Sequence, residues 1–498
     1  MALSNVLGAA QVDSPLFMSP ERREMCELWC LIDDLMGGTL AMRKAGEKWL
    51  PRETAEEEEA YRIRLKRSIL YNAFGDTVDK LSARPFSKPI VFKDNNQLPA
   101  KLLTLEKNAD RQGTSLVKFC HQIFKDGVKY GMQLCLVDYP VVPEGATLAD
   151  EIKNDWRPYF VRICPDDVID IIEADGQLVE LRYSEERQER KGKFGTTCAL
   201  YVIRWTPEVV ETYRVEENGT EQKLVSTRPH SHGRIPLFVG YTNETGKYMA
   251  TPPLEDLAWL NVAHWQSYSD QRNILRFARL GMIVMTGLTE EEVNKTTTLA
   301  ANKVWKFRNA ESKVYYVEHT GKAIAAGAAD LDSLEAKMMI LGMQPLFEGG
   351  GKSTATARAL DETRSQSLAQ AWVGCLEEML EAMYAYAAKI AKLTLPEKFS
   401  IVIDKEFGLS MKAGLDVQAL IAMRAAGEIS RETFLEEMKR RSVLADTVDI
   451  KEEIVHAKAD GPSVSKQPGN AQDAKNSGDR KKNTGAMNDP TTSNPGGF

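Results

Sequence analysis

The chain lacks most of what marks an enzyme, a secreted protein or a membrane protein. No apolar run approaches the eighteen or so residues of a membrane span, so no membrane partner is expected. The opening MALSNVLGAAQVDSP has neither a basic start nor a true apolar core, which argues against secretion. The seven cysteines, Cys26, Cys30, Cys120, Cys135, Cys164, Cys198 and Cys375, are scattered, odd in number and without a CxxC pair. They read as reduced, mostly buried thiols in a cytosolic setting. Basic clusters are scarce too: 64 Lys and Arg stand against 71 Asp and Glu, a net charge of −7. Proteins that grip DNA by neutralising phosphates usually show such clusters. The chain is therefore either no nucleic-acid binder or one that lets nucleic acid slide.

Motifs for chemistry are equally thin. The six histidines, His121, His230, His232, His264, His319 and His456, do not cluster. His230-Ser231-His232 is a weak candidate metal clip in a turn-like loop, and Cys26 and Cys30 share a helix face without completing a ligand set. Asp33-Asp34 and Asp166-Asp167 are neighbours in sequence, which points their side chains apart; they resemble caps rather than an acid/base couple. The run GGGKST at 349–354 invites a phosphate-loop reading. The spacing fails, because position 346, where the first glycine belongs, is Leu346. A mobile loop bearing one cation fits better. No nucleophile elbow, zincin pattern or dinucleotide-binding glycine set is present. The expectation is a protein that is not an enzyme, with no cofactor and no metal.

What is there centres on Thr251–Pro345. Thr251-Pro252-Pro253 is a helix start, and no Pro or Gly interrupts the chain from Leu254 until Gly281. A helix over that span would be roughly 40 Å long. Leu254, Leu257 and Tyr268 mark one face, while Trp259, Val262 and Trp265 mark another. Helices apolar on more than one face are enclosed on several sides, and neighbouring copies of the chain could do the enclosing. Met282–Met285 is a short β-type run, and Thr289-Glu290-Glu291-Glu292 is a capped, acidic helix start. Lys303–Phe307 and Lys313–Glu318 alternate like a strand pair. A second helix near Ala328 carries Leu331, Leu334, Met338 and Leu341 as a coiled-coil-like seam, ending at Pro345. The stretch is a stalk with a tip, or an α+β insertion in an enzyme.

With 498 residues, 43% of them hydrophobic, two or more domains are expected. Met1–Pro20 reads as a flexible arm and Glu21–Leu35 as a helix. Pro51–Glu59 opens a longer helix that runs to about Leu81, with Arg62, Arg64, Lys66 and Arg67 on a solvated face. Thr114–Tyr130 is amphipathic and leads into a buried strand at Gly131–Pro140. From Pro158 to Tyr241 the texture is β, with Asp175-Gly176 and Asn218-Gly219 as hairpin turns. Behind the stalk, a helix from Ala355 to about Leu393 carries the seam Leu368, Trp372, Leu376, Met379, Met383 and Ile390. Phe399–Ile403 is a strand, Leu415–Lys458 is helical, and the residues beyond Asp460 are too polar to fold.

This order of elements resembles the portal proteins of tailed bacteriophages. The likeness is strongest in LEDLAWLNVAHWQSYSDQRNILRFARLGMIVMTG at 254–287, with support from DGVKYGMQLCLVDYP at 126–140 and GRIPLFVGYT at 233–242. The resemblance implies an α+β fold: a flexible arm at 1–20, a wing at 21–250, a first stem helix at 251–280 and a clip at 281–321. A second stem helix at 322–345, a tunnel loop at 346–354, a long helix and closing strand at 355–409, a helical crown at 410–460 and a disordered tail at 461–498 complete it.

By the same likeness the chain forms a homo-oligomeric ring, usually of twelve copies, at one capsid vertex of the virion, assembled in the bacterial cytoplasm. Double-stranded DNA passes through its channel during packaging and ejection. The terminase large subunit, the head–tail adaptor, and the major capsid and scaffolding proteins are the implied partners. Gly349, Gly350, Gly351, Lys352, Ser353 and Thr354 take the place of the loop facing DNA. Thr286, Thr289, Glu290, Glu291, Lys306, Arg308, Asn309 and Lys313 fall in the docking clip. Leu254, Leu257, Trp259, Trp265, Leu331, Leu334 and Met338 fall in the packed stem. Twelve copies at −7 each would carry roughly −84, which suits a conduit better than a clamp. The rival readings are a head-assembly adaptor without a channel and a nucleotide-binding enzyme built on the GGGKST loop.

Overall fold

Strand Met132–Asp138 is buried at all seven positions, because elements cover it on both edges and both faces. It pairs antiparallel with Tyr159–Ile163 on one side and with Leu237–Tyr241 on the other, so that Leu134 stands between Ile163 and Val239. The structure is a computed structural model. It describes residues 14–93, 98–143, 145–216, 221–280, 282–287, 311–317, 321–343, 355–405, 411–440, 443–444 and 448–459. Two compact units divide the chain, Met1–Leu409 and Ser410–Phe498.

In the first unit, helix Leu116–Tyr130 and helix Ala355–Ile390 both pack against the three-stranded sheet. The first of these turns its apolar stripe, Leu116, Phe119, Cys120, Ile123 and Phe124, inward. It ends at Gly131, whose φ of +90° is the left-handed cap that reverses the chain into the central strand. The long helix contributes Trp372, Val373, Leu376, Met379, Leu380, Met383, Tyr384 and Ala387 to the core. It approaches the sheet closely at Gly240, where an added Cβ would sit 3.3 Å from the Met379 sulfur. Leu368, expected on its seam, is instead 44% exposed.

The β-rich stretch is a five-stranded antiparallel meander in sequence order, from Val168–Ala174 to Gln222–Pro229. Its first hairpin turns on Asp175 and Gly176, with φ of 51° and 78°, the backbone that a two-residue hairpin matching strand twist requires. Strand Val91–Lys93 pairs with Ser400–Val402, which joins the chain ahead of the stalk to the chain behind the long helix.

Several expectations need correction. Ser14–Met18, assigned to a flexible arm, is packed: Leu16 and Met18 are buried against Ile169, Val202 and Val215, and Arg182 donates to the Pro15 carbonyl at 3.1 Å. The single helix expected up to Leu81 is two, Glu58–Arg67 and Ala73–Ala83. The break is held from the stalk: Asn261 accepts from the Phe74 N–H at 3.0 Å and donates to the Tyr71 carbonyl at 2.7 Å. Ser68 and Ser269 hydroxyls meet at 2.8 Å beside it. Arg64, placed on a solvated face, is 8% exposed. It forks onto Glu56, with Nε–Oε1 at 2.8 Å and Nη2–Oε2 at 2.7 Å, and reaches Asp270 at 3.5 Å.

The second unit contributes helices Met411–Ala425, Arg431–Arg440 and Ile450–Ala459, the region read as helical.

Asn261 is fully buried, and its replacement leaves two backbone groups without their partner. Asn261→Ala should therefore destabilise the unit by about 2–4 kcal/mol, seen as a lower thermal midpoint. An unchanged midpoint would show that the break forms without it.

Candidate functional site

The stalk is an antiparallel helix pair. Helix Glu255–Leu280 and helix Lys322–Leu341 are joined by a ladder of polar contacts. His264 Nε2 lies 3.3 Å from Glu335, Ser267 donates to Asp330 at 3.0 Å, and Gln271 donates to the Ile324 carbonyl at 2.8 Å. The helices approach tightly at Gly327, where a Cβ would collide with the Gln271 carboxamide. At the other end of the second helix, Gly342 lies against Thr77 and Leu257. Beyond the helices, Met282–Thr286 pairs antiparallel with Lys313–Val317 and sets Thr286 opposite Lys313. Two of the clip residues picked from sequence are thus brought together. The other clip residues, Thr289, Glu290, Glu291, Lys306, Arg308 and Asn309, lie outside the described residues, as does the whole GGGKST loop from Gly349 to Thr354. Lys303–Phe307 also lies outside them, and the strand seen beside Lys313–Val317 is Met282–Thr286.

The stem-packing residues divide in an unexpected way. Leu254, Leu257, Trp265, Leu331 and Met338 are buried, but within a single chain. Helices Pro20–Met36, Glu58–Arg67 and Ala73–Ala83 all contact the first stalk helix, Glu58–Arg67 through Arg64 at Asp270. The two-faced apolar pattern thus reflects this chain's own core, and these residues need no second copy to cover them. Leu334 is half-buried, and Trp259 is 47% exposed, edge-on to Trp49.

The second stalk helix is the opposite case. Its sequence KAIAAGAADLDSLEAKMMIL is largely apolar, yet Leu331 and Met338 alone are buried. Ala325, Ala329, Asp332, Ala336 and Met339 recur at spacings of four and three and are all exposed. That is the spacing of a coiled-coil seam, left exposed among the described residues.

On the first stalk helix, a groove of about 650 Å³ separates it from helix Glu58–Arg67. Ala60, Ile63 and Leu275 line it together with Arg64, Arg67, Arg272, Arg276 and Arg279. Its carboxylate, Glu56, is held below the usual range by its hydrogen bond from Arg64.

Two polar clusters lie in the wing. Asp138 receives Tyr159 at 2.5 Å, Arg228 at 2.8 Å and His232 at 3.2 Å. Burial alone would raise its pKa, but these donors hold it at about 2. The other His232 nitrogen meets Tyr386, and His230 bonds the Thr206 carbonyl and the His232 N–H. The two histidines weighed as a weak metal clip have all four ring nitrogens engaged. The second cluster corrects the reading of the aspartate pairs as caps. Asp166 meets Asp33 across elements, and burial, the Asp33 charge and their shared hydrogen bond raise Asp166 to about 7. Cys26, pushed up to about 11 by burial, is a poor thiolate. Among the described residues, no three His, Cys, Asp or Glu converge on one point, and no helix is long and apolar enough to cross a membrane.

A family model described as a domain of unknown function (DUF4055) matches residues 253–391, the stretch from the root of the stalk to the end of the long helix. No curated protein matches the chain. Among solved structures, a chain from the neck of an empty gene transfer agent particle, computed with C6 symmetry, is similar at 11% identity and a TM-score of 0.44. The match covers 74% of this chain and 90% of that one. A chain from the virion of a native gene transfer agent particle is similar at 12% identity and a TM-score of 0.42, covering 74% and 88%.

The Asp166 carboxyl yields a pH prediction. Its folded pKa, about 7, lies above the ordinary 3.8, so folding favours the protonated form. Its contribution is full below the ordinary value and is lost as pH rises through about 7. Asp166→Asn, which keeps a donor toward Asp33, should raise the thermal midpoint at about pH 8 and leave it nearly unchanged at about pH 4. A difference independent of pH would mean that the carboxylate is not penalised.

Proposed function

We propose that this chain is a subunit of a portal-type head–tail connector: a ring at a capsid vertex whose channel passes double-stranded DNA during packaging and ejection. One observation carries the reading. The second stalk helix is rich in apolar residues, and among the described residues most of them are exposed, Leu331 and Met338 being buried and Ile324 and Leu334 half-buried, although the first helix is rooted in the core. Such a helix needs neighbours, and a heterologous contact repeated around an axis supplies them to every copy alike. Ring copies stand side by side, the paired strands at the tip project to one end, and the acidic balance of −7 suits passage of DNA rather than its capture.

In this reading the protein is a structural component without catalytic activity of its own. Its tip, with Thr286 and Lys313, docks the terminase large subunit and later the head–tail adaptor. The wing meets the major capsid and scaffolding proteins, and Gly349–Thr354 faces DNA.

Purified protein should form a particle on the order of ten times the 55.7 kDa chain, with a central hole in negative stain. A species that stays at the mass of one chain at every concentration rules the ring out. Lys352→Ala should leave that particle intact and alter DNA packaging or retention in an infected-cell assay. Loss of the particle itself would assign Lys352 to assembly instead of the channel.

A further inference from the structure

Among the described residues, two flanks of the stalk present exposed side chains, and they differ in charge. On the first helix Arg272, Arg276 and Arg279 repeat at spacings of four and three, all exposed. At 100° per residue they occupy a face turned roughly 120° from the His264, Ser267 and Gln271 seam, so the chain's own second helix does not cover them. Like charges at these spacings repel along the helix by a few tenths of a kcal/mol each. The cost is retained in a chain with a surplus of acids. Arg67 faces the same groove from helix Glu58–Arg67. Arg67, Arg272 and Arg279 have no carboxylate partner among the described residues, and Glu56 is already occupied by Arg64. The floor, Ala60, Ile63 and Leu275, is apolar.

The second helix presents the complement. Its uncovered seam, Ala325, Ala329, Asp332, Ala336 and Met339, has the same four-and-three spacing. Between Lys322 and Lys337 it carries Asp330, Asp332 and Glu335 and no base. Asp332 is exposed and has no cation partner among the described residues. Alanines let a neighbouring helix approach closely, and the planar guanidinium fork suits carboxylates.

We infer that the arginine groove between helix Glu58–Arg67 and the first stalk helix receives the second stalk helix of an adjacent copy. Its alanine seam lies on the apolar floor, and Asp332, which shares that seam, meets the rim of Arg67, Arg272 and Arg279. The inference rests on the ring reading and names the two surfaces that join. Duplex DNA is the less suitable occupant. Phosphates would use the arginine rim, but nothing on a duplex backbone would use the apolar floor, and such binding would oppose the net charge of the chain.

Charge reversal tests the pairing. Arg272→Glu and Asp332→Arg, each alone, should raise the concentration for half-maximal assembly by about tenfold or more, read by mass photometry. The double variant in one chain should recover most of that loss, because every interface then carries the reversed pair. Assembly of the wild type should weaken as salt rises, as screened rim charges do. Both positions are exposed, so thermal midpoints of the unassembled variants should match the wild type.

Single variants that assemble like the wild type, or a double variant that recovers nothing, would overturn the pairing while leaving the ring in place. A wild type that never leaves the single-chain mass would remove both. If Arg272→Glu left the ring mass unchanged but cut retention of a short duplex DNA fragment, the groove would be a nucleic-acid surface and the inference would fall.

Discussion

The contact on which the rest depends is the long helix Ala355–Ile390 lying across a sheet whose strands, Met132–Asp138, Tyr159–Ile163 and Leu237–Tyr241, all precede the stalk. It seats Trp372, Leu376, Met379 and Met383 in the core, and strand Ser400–Val402 behind it pairs with Val91–Lys93. The core of the first unit is therefore made from chain on both sides of the stalk. An insertion framed in this way leaves the core and returns to it at nearby points, so its two helices run antiparallel. Core packing, rather than any linker, sets the direction of the stalk.

The frame accounts for the uneven burial along the stalk. Three other helices contact the first stalk helix, and in its early turns Asn261 satisfies the Tyr71 carbonyl and the Phe74 N–H at the break between helices. The same contact joins that break to the root of the stalk. Farther out, from Arg272 onward, the helix emerges with charged residues in its exposed positions. Short isolated helices are marginal in water, and among the described residues the outer stalk is supported by the pair's own seam and by helix Glu58–Arg67 across the groove. In the proposed ring, neighbouring copies would add cover along this outer part.

Which features were legible in the sequence follows from how local their causes are. The Asp175-Gly176 turn, the buried strand at Met132–Asp138 and both stalk helices are set by neighbours in the chain, and periodicity or turn chemistry displays them. The break at Ser68–Asn72 is held by a side chain almost two hundred residues away, so a continuous helical pattern hid it. Burial of Arg64 and the meeting of Asp33 with Asp166 are likewise products of distant elements. For the candidate site, the apolar faces at Leu254, Leu257 and Trp265 were visible, but not what covers them. Period alone cannot tell a chain's own core from a second copy. Strand register brought Thr286 opposite Lys313, which their distance in sequence could not reveal.

The alanine content of the second helix bears on how such a subunit survives before assembly. A seam of leucines would bind a neighbour more strongly, but left bare it would also bind indiscriminately, because large exposed apolar patches promote aggregation. Alanine has the highest helix propensity, so the helix keeps its shape without a partner while exposing little area at each position. Association through such a surface needs a second source of selectivity, and complementary charge sets partner and register without adding exposed apolar area. Opposite charges placed on different flanks of the same stalk cannot satisfy each other within one chain. In the proposed assembly they would favour a head-to-tail contact between copies, the arrangement that closes into a ring.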